Sequence, residues 1–141
     1  MKRRVLVDTG PLVAILSTID EHHAACVEAL HQLPGPLFSC WPVMTEAAWL
    51  LRSHPKAVRQ FLRSCSSGKA NNFLELLPLA GAEAPAIAEV AKKYENLRPQ
   101  LADAALVYLA HREGIDTIFT LDRRDFAIYR TAQNRPFRLV P

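Results

Sequence analysis

Five short apolar segments, the first four each followed by a stretch of helical character, constrain this chain more than any other feature. RRVLV at 3–7, LFSC at 37–40, FLELLPL at 73–79, DTIFTL at 116–121 and residues 137–140 read as strands. Thr9-Gly10-Pro11 ends the first strand and opens a helix with Pro11 in its first turn. Asp20 can cap a second helix that runs to about Leu33 and is closed by Pro34-Gly35-Pro36. Further helices are expected at 43–52, 55–65, 83–96, 100–113 and 124–130, with Gly114 as a left-handed stop after the penultimate one. Parallel neighbours need long crossovers, so strands alternating with one or two helices predict a mostly parallel sheet covered on both faces. The fold class is therefore α/β.

A chain of 141 residues suits one domain, residues 1–141, with a core that needs no disulfides. No apolar run reaches the roughly 18 residues of a membrane span. MKRR runs straight into the first strand without the longer apolar region of a signal peptide, so a cytoplasmic protein is expected. Cys26, Cys40 and Cys65 show no CxxC spacing and read as free thiols in a reducing compartment. The net charge of +3 comes with twelve arginines against five lysines. That leans toward an anionic partner, since guanidinium suits bidentate phosphate contact.

The acids carry the chemistry. In VLVDTGPLVAIL a carboxylate, Asp8, stands between two apolar runs, where an unpaired charge is costly. It is either a cap for the next turn or part of a site. Asp122 follows the fourth strand in the same way, within TLDRRDF. Open parallel sheets bind ligands beyond the carboxyl ends of their strands, where strand order reverses, and strand four beside strand one would make these two acids neighbours. Glu46 in WPVMTEAAWLL and Asp103 in LADAALVYLA break apolar helices. Val43, Trp49 and Leu50 around Glu46, and Leu106 and Val107 around Asp103, predict that both point inward. Asp103 also falls in a first turn, where the helix dipole favours an anion. Asp122 could likewise cap the short helix that follows it, with Asp125 the better cap candidate of the two. Two carboxylates 4 Å apart repel by roughly 4 kcal/mol at an effective dielectric of 20. A divalent cation relieves that, and oxygen ligands without His or Cys suit Mg²⁺ or Mn²⁺. Such a site fits phosphodiester hydrolysis.

These residues resemble the PIN-domain ribonucleases, in particular the VapC-type toxins of toxin–antitoxin pairs. VDTGPLVAIL is similar to the family's first motif, TEAAWLL to the second, LADAALVYLA to the third and TLDRRDF to the fourth. The resemblance runs the length of the chain. It implies a three-layer α/β/α sandwich with strand order 3-2-1-4-5 and Mg²⁺-dependent endonucleolytic cleavage of RNA. It carries over Asp8, Glu46, Asp103 and Asp122 as metal ligands and water activators, with Thr9 and Thr120 supporting them. Asp125 matches an acid of only some members and stays outside that set. A homodimer and a small antitoxin partner are further implications.

Arg52, Lys56, Arg59 and Arg63 recur at helical spacing and could form a groove for RNA phosphates; Arg123 and Arg124, beside Asp122, are better placed for phosphate contact. His22-His23 after Asp20-Glu21 reads as a helix start. Trp41, Trp49 and Phe61 fit a core or an interface better than base stacking. A haloacid-dehalogenase phosphatase would need an aspartate where Gly10 stands, and a receiver domain would need a lysine that RPFRLVP lacks. A PIN domain that binds RNA or a partner without cutting would share these motifs, as would an RNA-processing nuclease that is not a toxin.

Overall fold

The computed structural model describes residues 3–65 and 73–141. Among them are five strands: β1 (Leu6–Val7), β2 (Leu37–Ser39), β3 (Leu74–Leu76), β4 (Thr117–Phe119) and β5 (Arg138–Val140). Seven α-helices accompany them: α1 (Thr9–Leu16), α2 (His23–Gln32), α3 (Trp41–Leu50), α4 (Pro55–Ser64), α5 (Ala84–Lys93), α6 (Leu101–Glu113) and α7 (Arg123–Phe126). The sheet is parallel throughout, in the expected order β3-β2-β1-β4-β5. Its central strand is strongly apolar: Val5, Leu6 and Val7 are buried, as a strand covered on both faces must be.

The strands are shorter than the apolar runs that encode them. Val5, Leu77, Ile115 and Thr120 are buried although they lie outside the paired segments. Backbone bonds still reach three of them, from the Phe38 N–H to the Val5 carbonyl, from the Leu77 N–H to the Ser39 carbonyl and from the Thr120 N–H to the Val140 carbonyl, so burial and pairing both run a residue past the strand bounds. Residues 83–96 form α5 flanked by two short 3₁₀ turns, Gly81–Glu83 and Glu95–Leu97. The last helix is one turn, 123–126, instead of the expected 124–130, and α3 starts at Trp41 with Pro42 in its first turn. Asp20 accepts the His22 N–H at 2.8 Å, just ahead of α2, whose N-cap position is His22.

Two helices do most to position the site. α6 is alanine-rich, and Ala102, Ala104, Ala105, Leu106, Val107, Leu109 and Ala110 are all buried. The small side chains let it pack closely against both α3 and α5. Gly114 ends it at φ 68°, the left-handed conformation in which glycine carries no Cβ penalty. α1 follows β1 directly, so the carboxyl end of the central strand and the start of this helix are one continuous feature.

Candidate active site

β1 and β4 lie side by side, and their pairing continues one residue beyond the strands: the Asp8 N–H donates to the Phe119 carbonyl at 2.9 Å. The Thr120 N–H meets the Val140 carbonyl in the same way on the other side. Asp8 and Thr120 thus sit at neighbouring strand ends, at the point where strand order reverses. The Thr120 hydroxyl donates to Asp8 Oδ2 at 3.0 Å and accepts the Asp122 N–H at 2.9 Å. One buried hydroxyl therefore holds two acidic positions in register.

A cavity of about 460 Å³ opens above these strand ends. Asp8, Thr9, Glu46, Asp103, Asp122 and Asp125 line it, together with Gly10, Leu121, Arg98 and Gln100. All four acids singled out in the sequence reach this one space, from β1, α3, α6 and the β4–α7 turn. Carboxylate oxygens of Asp103, Asp122 and Asp125 lie within 4.8 Å of one another. Asp125 thus belongs to the tightest part of the cluster, and the cap of α7 is Asp122, which accepts the Asp125 N–H at 3.2 Å. Of the two cap candidates, the cap is thus Asp122 and not the preferred Asp125. The i, i+3 spacing of Asp122 and Asp125 across a single turn is the signal that could have revealed the pair.

Asp8 occupies the N-cap position of α1 and makes no side-chain capping bond, so the simple cap reading does not describe it. It is 8 % exposed. Burial raises its carboxyl from the ordinary 3.8 to about 6, helped by the charges of Glu46 and Asp122. The Thr9 N–H, although not aligned as a cap, and the Thr120 hydroxyl pull it the other way. Asp103 rises further, to about 7, again through burial first and then through repulsion by Asp8, Asp122, Glu46 and Asp125. Burial also raises Glu46. Its surroundings differ from the inward apolar face expected: Val43 is buried, while Trp49 and Leu50 are 63 % and 51 % exposed. Glu46 therefore stands at the rim of the cavity.

The donor set suits a hard divalent cation. It is all oxygen, it concentrates negative charge that proteins rarely leave unbalanced, and the Thr9 hydroxyl in the cavity wall is buried without a hydrogen-bond partner. A second orphan is the Tyr129 hydroxyl. Burial and the charges of Asp103, Asp125 and Asp122 hold that phenol well above its usual range. Asp103 is within its reach but not at good hydrogen-bonding geometry, which leaves the hydroxyl unpaired. The Tyr129 ring is fixed edge-on by Tyr94 and Phe126, at 4.9 and 5.0 Å between centroids.

The basic residues fall elsewhere. Arg52 closes off α3 with its guanidinium 4.1 Å from the Trp49 ring centre, and Lys56, Arg59 and Arg63 are exposed on α4. Arg123 donates to the Pro141 carbonyl, and Arg124 is exposed. None of these six lines the acidic cavity; among the described residues the cation that does is Arg98. Phe61 is a core residue, whereas Trp41 and Trp49 are exposed and line an apolar groove with Leu101 beside Glu46. His22 and His23 are on the α2 side, His23 bonded to the Ala14 carbonyl. Cys26 and Cys40 are buried, and all three cysteines are free.

Strand order, helix placement and an acidic cavity at the switch point together define a class, and the sequence comparison agrees: the PIN domain model matches residues 5–133. The chain belongs to the PIN-domain family. It is 32 % identical over 139 residues to the ribonuclease VapC26 of Mycobacterium tuberculosis, covering 97 % of this chain and 100 % of that one. The crystal structure of M. tuberculosis VapC20, a sarcin–ricin-loop-cleaving toxin, superposes with a TM-score of 0.75 at 18 % identity, over 94 % of this chain and 99 % of the other. No helix among the described residues is long and apolar enough to cross a membrane.

Proposed function

We propose that this chain is a Mg²⁺- or Mn²⁺-dependent endoribonuclease, the toxin of a VapBC-type pair, acting in the cytoplasm as a single PIN domain. The observation that carries the reading is the meeting of Asp103, Asp122 and Asp125 within 4.8 Å, with Asp8 and Glu46 in the same cavity. Similarity to VapC26 over nearly the whole chain supports RNA as substrate and an antitoxin as partner.

Asp8, Asp103, Asp122 and Asp125 would hold the cation, which when bound supplies charge stabilisation at the phosphodiester and makes water more acidic. Thr120 keeps Asp8 and Asp122 aligned, and Thr9 offers its free hydroxyl to the same space. Glu46, at the rim, orients the attacking water and takes its proton as the water oxygen bonds to phosphorus and a P–O ester bond breaks. The exposed Trp41, Trp49 and Leu101 support a homodimer, since single-chain proteins seldom leave such groups together in water.

Purified protein should cleave RNA when Mg²⁺ or Mn²⁺ is present and stop when EDTA is added. Asp8→Asn and Asp103→Asn proteins that cut as fast as the parent would overturn the assignment. A reading frame for a small DNA-binding protein next to this gene, together with growth arrest on expression, tests the toxin role separately. Sedimentation of Trp49→Glu against the parent tests the dimer: if both run as monomers, the dimer is wrong.

A further inference from the structure

We propose that Arg98 is the substrate-phosphate contact of this site, its guanidinium taking the non-bridging oxygens of the RNA phosphodiester presented to the acids. The proposal rests on the nuclease reading and adds a residue to it. An acidic cavity has a problem with a polyanionic substrate. Five carboxylates line it, and one divalent ion leaves it net negative, so an incoming phosphate needs a cation supplied by the protein. Among the described residues lining the cavity, Arg98 is that cation.

Its local structure favours the role. Arg98 ends the 3₁₀ turn Glu95–Leu97, with its N–H bonded to the Glu95 carbonyl at 3.0 Å. Its backbone is left-handed, φ 50° and ψ 56°, a conformation that favours glycine and is held here by an arginine. Pro99 then restricts the chain, and Gln100, also in the cavity wall, is the N-cap of α6, the helix that carries Asp103. Arg98 is thus tied through two residues to a helix that is buried along most of its length. Its side chain makes no ion pair or hydrogen bond with any described residue, despite the acids around it. Arg112, by contrast, is engaged with Glu83 and Glu113, and Arg52 is stacked on Trp49. An exposed arginine in the wall of an acid-lined cavity, its guanidinium unpaired with any described residue, suits a ligand with anionic oxygens, bound two at a time.

The test compares the parent with Arg98→Ala, Arg98→Lys and Arg98→Gly. Glycine removes the side chain while suiting the left-handed backbone, so that variant should melt no lower than the parent. Initial rates on a short RNA with Mn²⁺ should fall about 10- to 100-fold in kcat/KM for Ala and Gly, with partial recovery for Lys, which keeps charge and loses the fork. The slope of log kcat/KM against log salt should become shallower by about 1. Calorimetric Mn²⁺ affinity should be unchanged or tighter, since a positive neighbour has been removed. Loss of Mn²⁺ binding in step with activity, or Arg98→Gly within about twofold of the parent, overturns the proposal. Anisotropy of a labelled RNA in Ca²⁺ reads binding without turnover. If the parent cuts no RNA, the nuclease reading fails, and equal RNA affinity of parent and Arg98→Gly in that assay then sinks the Arg98 contact as well.

Discussion

Replacing Asp8 by Asn in metal-free protein should make the fold more stable, and the gain should depend on pH. Asp8 is almost wholly buried, and its carboxyl is moved from 3.8 to about 6, chiefly by desolvation. At about 1.36 kcal/mol for each tenfold change in proton affinity, the ionised group costs the folded state about 3 kcal/mol. The sign follows from linkage. Between 3.8 and about 6 the folded chain binds more protons than the unfolded one, so stability falls as pH rises through that window and stays low above it. Asparagine has no charge to desolvate and keeps an oxygen to accept from the Thr120 hydroxyl, now at 3.0 Å. It also relieves Asp103, which Asp8 repels. The expected gain is about 1–3 kcal/mol near pH 8, or roughly 3–10 °C in Tm for a chain of this size, shrinking to a few tenths near pH 4. Thermal and urea unfolding with EDTA, followed by far-UV circular dichroism at both pH values, gives the answer. A variant less stable than the parent near pH 8, or a gain equal at the two pH values, would refute the reasoning.

The same charge balance predicts that Mn²⁺ stabilises the parent, by about 2.7 kcal/mol at a hundredfold excess over its Kd, and that Asp122→Asn loses most of this; a Tm indifferent to metal would remove the cation from the site. Thr120→Val keeps shape but leaves Asp8 without its hydroxyl donor and the Asp122 N–H without an acceptor. It should cost about 1–3 kcal/mol in urea titrations and reduce RNA cleavage, and full stability would show the bridge to be unimportant. Gly114→Ala, forced into φ 68° at the end of α6, should lose about 1 kcal/mol; a neutral result would mean the helix end can rearrange.

Much of this architecture is readable from residue order because a carboxylate directly after a buried, valine-rich segment is costly unless it serves a purpose. Asp8 and Asp122 are legible for that reason: each follows a run that burial forces into a strand, and parallel pairing brings the two ends together. Asp103 is legible because its helix is otherwise apolar as far as Ala110. Glu46 stands out for a partly wrong reason, since its neighbours Trp49 and Leu50 face solvent. Asp125 is easily discounted because an acid at a helix start has two readings, cap or ligand, and only the distances decide between them. Arg98 gives no periodic signal at all. Its place in the cavity depends on a left-handed residue after a 3₁₀ turn, and arginine does not advertise that backbone. The basic stripe from Arg52 to Arg63 lies outside the acidic cavity, and helical spacing alone does not separate a phosphate groove from a solvated face.

The hydroxyl contact between Thr120 and Asp8 spans 112 positions of the chain. A ribosome that has made everything up to Asp103 has already supplied three of the acids, yet β4, the strand that sits against β1, is still to come. On the nuclease reading, the nascent polypeptide is therefore harmless to the RNA-rich machine producing it until the closing segment has emerged and docked. Dividing the chain between α6 and β4 parts Asp8, Glu46 and Asp103 from Asp122 and Asp125, so on that reading neither piece alone holds the full set of acids.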